Sequence, residues 1–300
     1  MVFLTYNIRN VVDYDFEYDG RENKVVSSIL SYDPDIIGLQ EVSSQKSWTK
    51  EANWFTYLGD ENNQTGLVSA GYAVYKGESV IGNHTIDILG TETNYNPIYY
   101  KADKFRVITE LSGTYWYTDD GKYGKTTVDD LTADHDKAFT YVVFEDIETG
   151  ARFVYINSHM EKRDTGDRLV PIIQKQSEYL DSFVDSLQTK EGYVGLPVII
   201  GGDFNYHFGG IEGFFGNDSI IKNAAKEANK NGGAYVYGCS TVSSDFTTVG
   251  DSSSPIDHWY VCGDAYVSGF EVLDNKDGEK YPSDHLPVRL TVTLTFKINV

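Results

Sequence analysis

Cysteine is scarce in this 300-residue chain, with only Cys239 and Cys262. Neither belongs to a CxxC-type spacing, which excludes a thiolate zinc site and leaves room for one disulfide or none. Cys262 ends the apolar run His258–Val261, where a buried free thiol is the simplest reading. Proline is also sparse. Its seven residues are scattered, and there is no Pro/Ser linker, internal repeat or low-complexity tract, so one continuous domain over 1–300 is expected. Basic residues are few as well, 25 against 45 acidic, for a net charge of -20 and a pI near 4.6. A surface of that sign repels polyanions at long range and argues against broad, non-specific nucleic-acid binding. A nuclease stays open, because a local cleft with metal ions reverses the sign where it matters.

Long apolar runs are missing too. No stretch approaches the ~20 apolar residues that cross a bilayer. No signal peptide is visible either, and Met1 abuts Val2-Phe3-Leu4, which reads as the first core strand. Together with the Tyr, Asn and Asp content, this raises the expectation of an exported bacterial protein whose targeting segment has been trimmed.

What is present is core material: 40% hydrophobic residues and 14% aromatics, with 23 Tyr and 15 Phe, a globular composition. Short apolar runs rich in β-branched and aromatic residues predict strands over Val2–Ile8, Asp35–Val42, Ile98–Lys101, Phe139–Asp146, Arg152–His159, Pro197–Gly201, Ile256–Val261 and His285–Phe296. Three helices are predicted. Gly166–Leu187 carries Leu169, Ile172, Ile173, Gln176, Tyr179, Leu180, Phe183 and Leu187 on one face. Arg21–Ser31 carries Val25, Val26, Ile29 and Leu30. Ser219–Asn231 is capped by Asp218 or Ser219 and closed by Gly232-Gly233. Residues 52–95 and 112–136 lack clean periodicity and read either as specificity loops or as solvated connections.

One pattern recurs: an apolar strand ends and a polar group follows at once. Leu4-Thr5-Tyr6 leads to Asn7, Ile36–Gln40 to Glu41, Phe153–Ser158 to His159, and Val198–Gly202 to Asp203 with Asn205 close behind. Asp257 follows Ser254-Pro255-Ile256, and Ser283-Asp284-His285 opens the last apolar run. Strand ends are rigid platforms, and several side by side would line one rim with carboxylates, amides and imidazoles. Such an oxygen-rich donor set suits a hard cation, Mg²⁺, Mn²⁺ or Ca²⁺, and a hard cation beside carboxylates and histidine is apparatus for water attack on phosphorus. Each signal alone has a plain alternative, a solvated strand end, a turn or a structural histidine; the joint order is what argues for chemistry.

These segments resemble the endonuclease/exonuclease/phosphatase superfamily. Thr5-Tyr6-Asn7-Ile8-Arg9, Ile37–Val42, Asn157-Ser158-His159, Gly201-Gly202-Asp203-Phe204-Asn205, Pro255-Ile256-Asp257-His258 and Pro282–Val288 run in family order over nearly the whole chain. The resemblance implies an α/β fold, a four-layered sandwich of two mostly antiparallel sheets face to face with helices outside, as in deoxyribonuclease I. It implies a metal-dependent phosphoester hydrolase with Glu41 as principal metal ligand and Asn7 and Asp284 nearby. Asp203 and Asn205 would lie near the attacking water and the phosphoryl oxygens, Asp257 would pair with His285, and His159 would donate to a non-bridging oxygen. Either Asp203 or His285 would take the water proton, and the pKa argument favours His285. Arg9, Asn96, Arg163 and Arg168 are candidate substrate-binding residues, although Arg163 and Arg168 could equally solvate the start of the long helix. One departure stands out: Asn94 occupies the place where many relatives carry a Glu that orients the histidine, with Glu92 as a possible stand-in.

Two substrate classes remain, nucleic acid and small or lipid-derived phosphoesters such as inositol phosphates, sugar phosphates or sphingomyelin headgroups. A catalytically silent binding domain is the third reading. No stable protein partner is implied, and a monomer is expected.

Overall fold

A computed structural model describes residues 1–10, 20–44, 52–86 and 90–295, with backbone only at 81–86, 90–92 and 208–209. The apolar runs read from the sequence form strands, and their lack of polar alternation has a direct cause. In Val2–Asn7 every residue from Phe3 onward is buried, as is all of Ile36–Gln40, because the sheet is covered on both faces. Successive side chains still go to opposite sides. Phe3, Ile36 and Ile98 enter one core, whereas Leu4, Tyr6, Ile37, Leu39 and Tyr99 enter another that also holds Val25, Ile29 and Trp54 of the covering helices Arg21–Ser31 and Trp54–Leu58.

The architecture is a four-layered α/β sandwich. One seven-stranded sheet runs in the order Ala234–Val236, Ala265–Val272, Val288–Leu294, Val2–Asn7, Ile36–Gln40, Ile98–Lys101, Tyr72–Tyr75. The other runs Lys222–Asn223, Asp257–Cys262, Val198–Asp203, Arg152–His159, Ala138–Asp146, Phe105–Val107, with Gly113–Trp116 also paired to Ala138–Asp146. Most pairs are antiparallel. Val2–Asn7 with Ile36–Gln40, and Arg152–His159 with Val198–Asp203, are parallel, so in each sheet two strands end on the same side. The sheets meet through aromatic rings: Phe3 lies 6.0 Å from Phe153, 5.6 Å from Tyr155 and 6.0 Å from Trp259. Gly38 permits this approach, since a Cβ there would stand 2.2 Å from the Tyr155 hydroxyl.

The long helix begins at Val170 rather than Gly166. Pro171 sits in its first turn, where a missing N–H is harmless, and Asp164 accepts from Leu169 N just before it. Its stripe Ile173, Leu180, Val184 and Leu187 joins the main core, each such side chain contributing about 1.5–3 kcal/mol. The helix expected over Ser219–Asn231 is shorter, Ala224–Lys230, and its cap is Asn223, which accepts from Lys226 N. Ser219 is committed elsewhere, donating to Asp181, and residues 222–223 pair as a strand first. The last strand starts at Val288, leaving His285 in the preceding loop; Phe296 lies outside the described residues. The two unpatterned regions contain short elements, among them Tyr72–Tyr75, Val80–Ile86, Gly90–Tyr95 and Gly113–Trp116. Trp116 and Tyr117 are buried there, with the indole donating to Glu78 and Tyr117 hydrogen-bonded to Ser158, so these rings serve as packing. Cys239 and Cys262 are both free and buried.

Candidate active site

The register of the second sheet places three polar residues in one row. His159 is opposite Asp203, and Asp203 is opposite Asp257, across three adjacent strands. In the first sheet Asn7 is opposite Gln40, with Glu41 next in the chain. The two rows meet at Asn7. Its Nδ2 donates to Glu41 Oε1 and to Asp203 Oδ2, each at 3.0 Å, so one amide ties the first sheet to the second. Asn10 N donates to the other Glu41 oxygen. The rim is held by unusual backbone: Arg9, Glu41 and Asn205 have φ of 53°, 60° and 54°. Non-glycine residues in this region store strain of order 1–3 kcal/mol each, and such strain concentrates at functional sites.

Behind the rim, buried polar groups lock the sheets together. Gln40 Nε2 donates to Asn157 Oδ1 and to Thr5 Oγ1, and Asn157 Nδ2 donates to the carbonyls of Leu39 and Pro97. Gly202 lets the strand bearing Asp203 pass its neighbour, since a Cβ there would lie 2.0 Å from the Ser158 carbonyl.

His285 comes to the rim from a loop pinned at two points. Ser283 Oγ donates to Asn7 O, and Leu286 N donates to Ser240 O. Its Nδ1 lies 2.9 Å from Asp257 Oδ2, an oxygen that also accepts from Ser240 Oγ. Its Nε2 lies 3.8 Å from Asp203 Oδ2. Burial alone would lower the imidazole, but the Asp257 and Asp203 carboxylates outweigh it and hold His285 well above the usual histidine range. Asp203 is raised to about 7, chiefly by burial and against the pull of His285. His159 is held well below the ordinary range, first by burial and then by the Lys137 ammonium.

Asp203, Asp257 and His285 offer ligand atoms within 4.8 Å of one another. Within that trio His285 Nδ1 is hydrogen-bonded to Asp257, and His285 Nε2 faces Asp203 Oδ2 at 3.8 Å, which lines up carboxylate, imidazole and carboxylate. On the other side of the rim the Glu41 carboxylate, 30% exposed, accepts from Asn7 Nδ2 and Asn10 N while the Asn7 amide oxygen accepts from Arg9 N, and an exposed carboxylate oxygen of this kind suits a hard cation.

The structure thus brings together Asn7, Glu41, His159, Asp203, Asp257 and His285. Asn205 joins them through its N–H on Asp203 Oδ1, with its amide donating to Met160 O. Arg9 and Asp284 pair at 3.6 Å beside the rim. Asn96 donates to Ala138 O and lines a cavity of about 50 Å³ with His159. Arg163 and Arg168 stand apart, the first paired with Asp167 and the second with Asp134 and Asp164. Asn94 Oδ1 accepts from Asn10, and the Glu92 side chain lies outside what is described. Three participants carry no motif in the sequence: Ser240 on Asp257, Lys137 on His159, and Glu161, which accepts from the His135 backbone and ring beside the same cavity.

The chain is similar to several known proteins. The curated Saccharomyces cerevisiae Ccr4, the 3'-5'-exoribonuclease subunit of the CCR4-Not complex, is 26% identical over 207 residues, covering 66% of this chain and 23% of that protein. The chain thus spans about a quarter of the length of that relative. Among solved structures, an endonuclease/exonuclease/phosphatase family protein of Bacteroides thetaiotaomicron superposes with a TM-score of 0.71 at 19% identity, covering 99% of this chain and 98% of that one. A mannosyl-6-phosphatase of the same organism superposes with a TM-score of 0.70 at 18% identity, covering 98% and 100%. Residues 4–285, which include every rim residue described above, match the Endonuclease/Exonuclease/phosphatase family, and the chain belongs to that family.

Proposed function

We propose that this protein is a divalent-metal-dependent phosphoester hydrolase working by in-line attack of water, with small phosphoesters as its substrates. The supporting observation is the Asn7 amide, which sets the Glu41 carboxylate against Asp203 and, through it, against the His285–Asp257 pair. A bound Mg²⁺ or Mn²⁺ on Glu41, Asn7 and Asp284 would neutralise charge on the phosphoryl oxygens and the leaving group. The chain's own residues supply the rest. Asn205 faces the same carboxylate and can donate to a phosphoryl oxygen. Either Asp203 or His285 takes the water proton; with His285 drawn towards its charged form by two aspartates, Asp203 is the acceptor proposed here. The imidazolium then stabilises charge at the reacting centre.

The substrate reading rests on charge. Arg9 beside the rim, and Arg163 and Arg168 away from it, are each engaged by aspartates, on a chain of net charge -20, so the surface offers poor purchase to a long polyanion. Nucleic acid is the second reading, favoured by the similarity to an exoribonuclease. A hydrolysis panel decides. Plasmid DNA, an RNA oligonucleotide and bis-p-nitrophenyl phosphate would be set against p-nitrophenyl phosphate, sugar phosphates, inositol phosphates and sphingomyelin, with Mg²⁺, Mn²⁺ or EDTA. Metal-dependent release from the small esters alone is the expected result. Cutting of the nucleic acids and the diester alone would establish the second reading, and no turnover of any substrate would remove both.

A further inference from the structure

Lys137 lies in the irregular stretch that enters the strand Ala138–Asp146, with no motif to mark it. Its Nζ stands 3.0 Å from His159 Nε2. That nitrogen is itself 3.6 Å from Asp203 Oδ2 and 3.9 Å from Glu41 Oε1, so the ammonium and two rim carboxylates converge on one imidazole nitrogen. Among the described residues no carboxylate stands within ion-pair distance of Lys137, although Glu161, Glu41 and Asp203 act on it from farther off, whereas Arg9, Arg163 and Arg168 each have an aspartate in contact. A partly buried cation without a paired anion is costly unless an anion arrives.

The chemistry of the contact narrows what that anion meets. An ammonium has only donors, so His159 Nε2 must accept and the ring proton must sit on Nδ1. In this state His159 has no proton on Nε2 to offer a phosphoryl oxygen. Lys137 has two further N–H groups, and it borders the same cavity as His159, His135, Asn94 and Asn96. At the place where a carboxylate is expected to orient the histidine stands Asn94, whose oxygen is taken by Asn10; the side chain of the other candidate, Glu92, lies outside what is described.

We propose that Lys137 is a further catalytic residue of the hydrolysis inferred above: its ammonium binds a non-bridging phosphoryl oxygen, and neutral His159 is its docking partner when that oxygen is absent. The inference rests on the phosphoester reading of the site.

Two measurements test it. Nitrogen NMR of the His159 ring in the wild-type protein should show the Nδ1–H tautomer, and Lys137→Met should displace it. Binding of inorganic phosphate with Mg²⁺ present, read by calorimetry, should weaken about tenfold or more in Lys137→Met and return to within a few-fold in Lys137→Arg. An Nε2–H ring in the wild type, or phosphate bound equally well by Lys137→Met, overturns the role of Lys137 and leaves the hydrolase reading standing. A wild-type protein that neither binds phosphate nor hydrolyses any ester of the panel defeats the hydrolase reading, and this inference with it.

Discussion

Gln40 Nε2 donates to Asn157 Oδ1 across 2.6 Å, joining the two sheets one residue before Glu41. Both side chains are fully buried. Asn157→Ala would strip a partner from Gln40 and remove the amide donor of the Leu39 and Pro97 carbonyls, of which Pro97 keeps the Leu39 N–H. Buried unsatisfied groups cost about 1–3 kcal/mol each, so a loss of roughly 3 kcal/mol or more is expected as a lowered urea midpoint. Activity should fall as well, because the link that registers Glu41 against the second sheet is gone. A variant with an unchanged midpoint would show that the bridge is dispensable.

Glu41→Gln keeps the shape of the side chain and removes its charge. Hydrolysis of the preferred ester should drop on the order of 10²-fold or more, with the thermal midpoint little changed. Wild-type turnover in this variant would mean that the metal side of the rim has been assigned wrongly.

Asp257→Asn tests the relay. Asp257 is the foremost charge holding His285 high, while burial pulls the other way. An NMR titration of His285 in this variant should therefore show its pKa dropping markedly, accompanied by a rate loss of about 10²-fold or more. A His285 titration identical to wild type would break the link between the two residues.

His258 gives the molecule a built-in acid sensitivity. Its ring N–H donates to Tyr206 O, and burial lowers its pKa from 6.5 to about 3. A depressed folded value means that the unfolded chain binds this proton first as pH falls. The stabilisation is fully present above pH 6.5 and is lost progressively as pH drops towards about 3, on the order of 4 kcal/mol in all. Denaturation curves at pH 7.5, 5.5 and 4.5 should show this decline, and His258→Gln should flatten it. A decline of equal steepness in the variant would assign the acid sensitivity to other groups.

The strands that carry the site were legible because they are covered on both faces and therefore spell unbroken apolar runs, as in Ile36–Gln40 and Arg152–His159. The half-buried Tyr72–Tyr75 and Gly113–Trp116, mixed in tyrosine, glycine and threonine, gave no such signal. The helix start at Ser219 was misplaced because a serine can cap a helix or serve another carboxylate with equal ease, and here Asp181 takes it. At the site, Asn7, Glu41 and Asp203 stood out by their place after apolar runs, and His285 by opening the last one. Lys137, Ser240 and Glu161 did not, because what matters about each is a partner 17 or more residues away that only folding brings near. For Asn157 the position was visible in its motif, but its bridging to Gln40 was not.

The left-handed backbone at Arg9, Glu41 and Asn205 has a consequence for how the molecule can change. Each of these residues turns its chain at or just beyond the last residue of a core strand, so their geometry is inherited from the sheets and not from the long connections. The exposed turn 119–123, which carries no core side chain, can then be lengthened, shortened or exchanged with little effect on the spacing of the reacting groups. Such a molecule works like a vice with interchangeable jaws, and a new substrate preference can be grafted onto it by rewriting the loops while the chemistry stays in place.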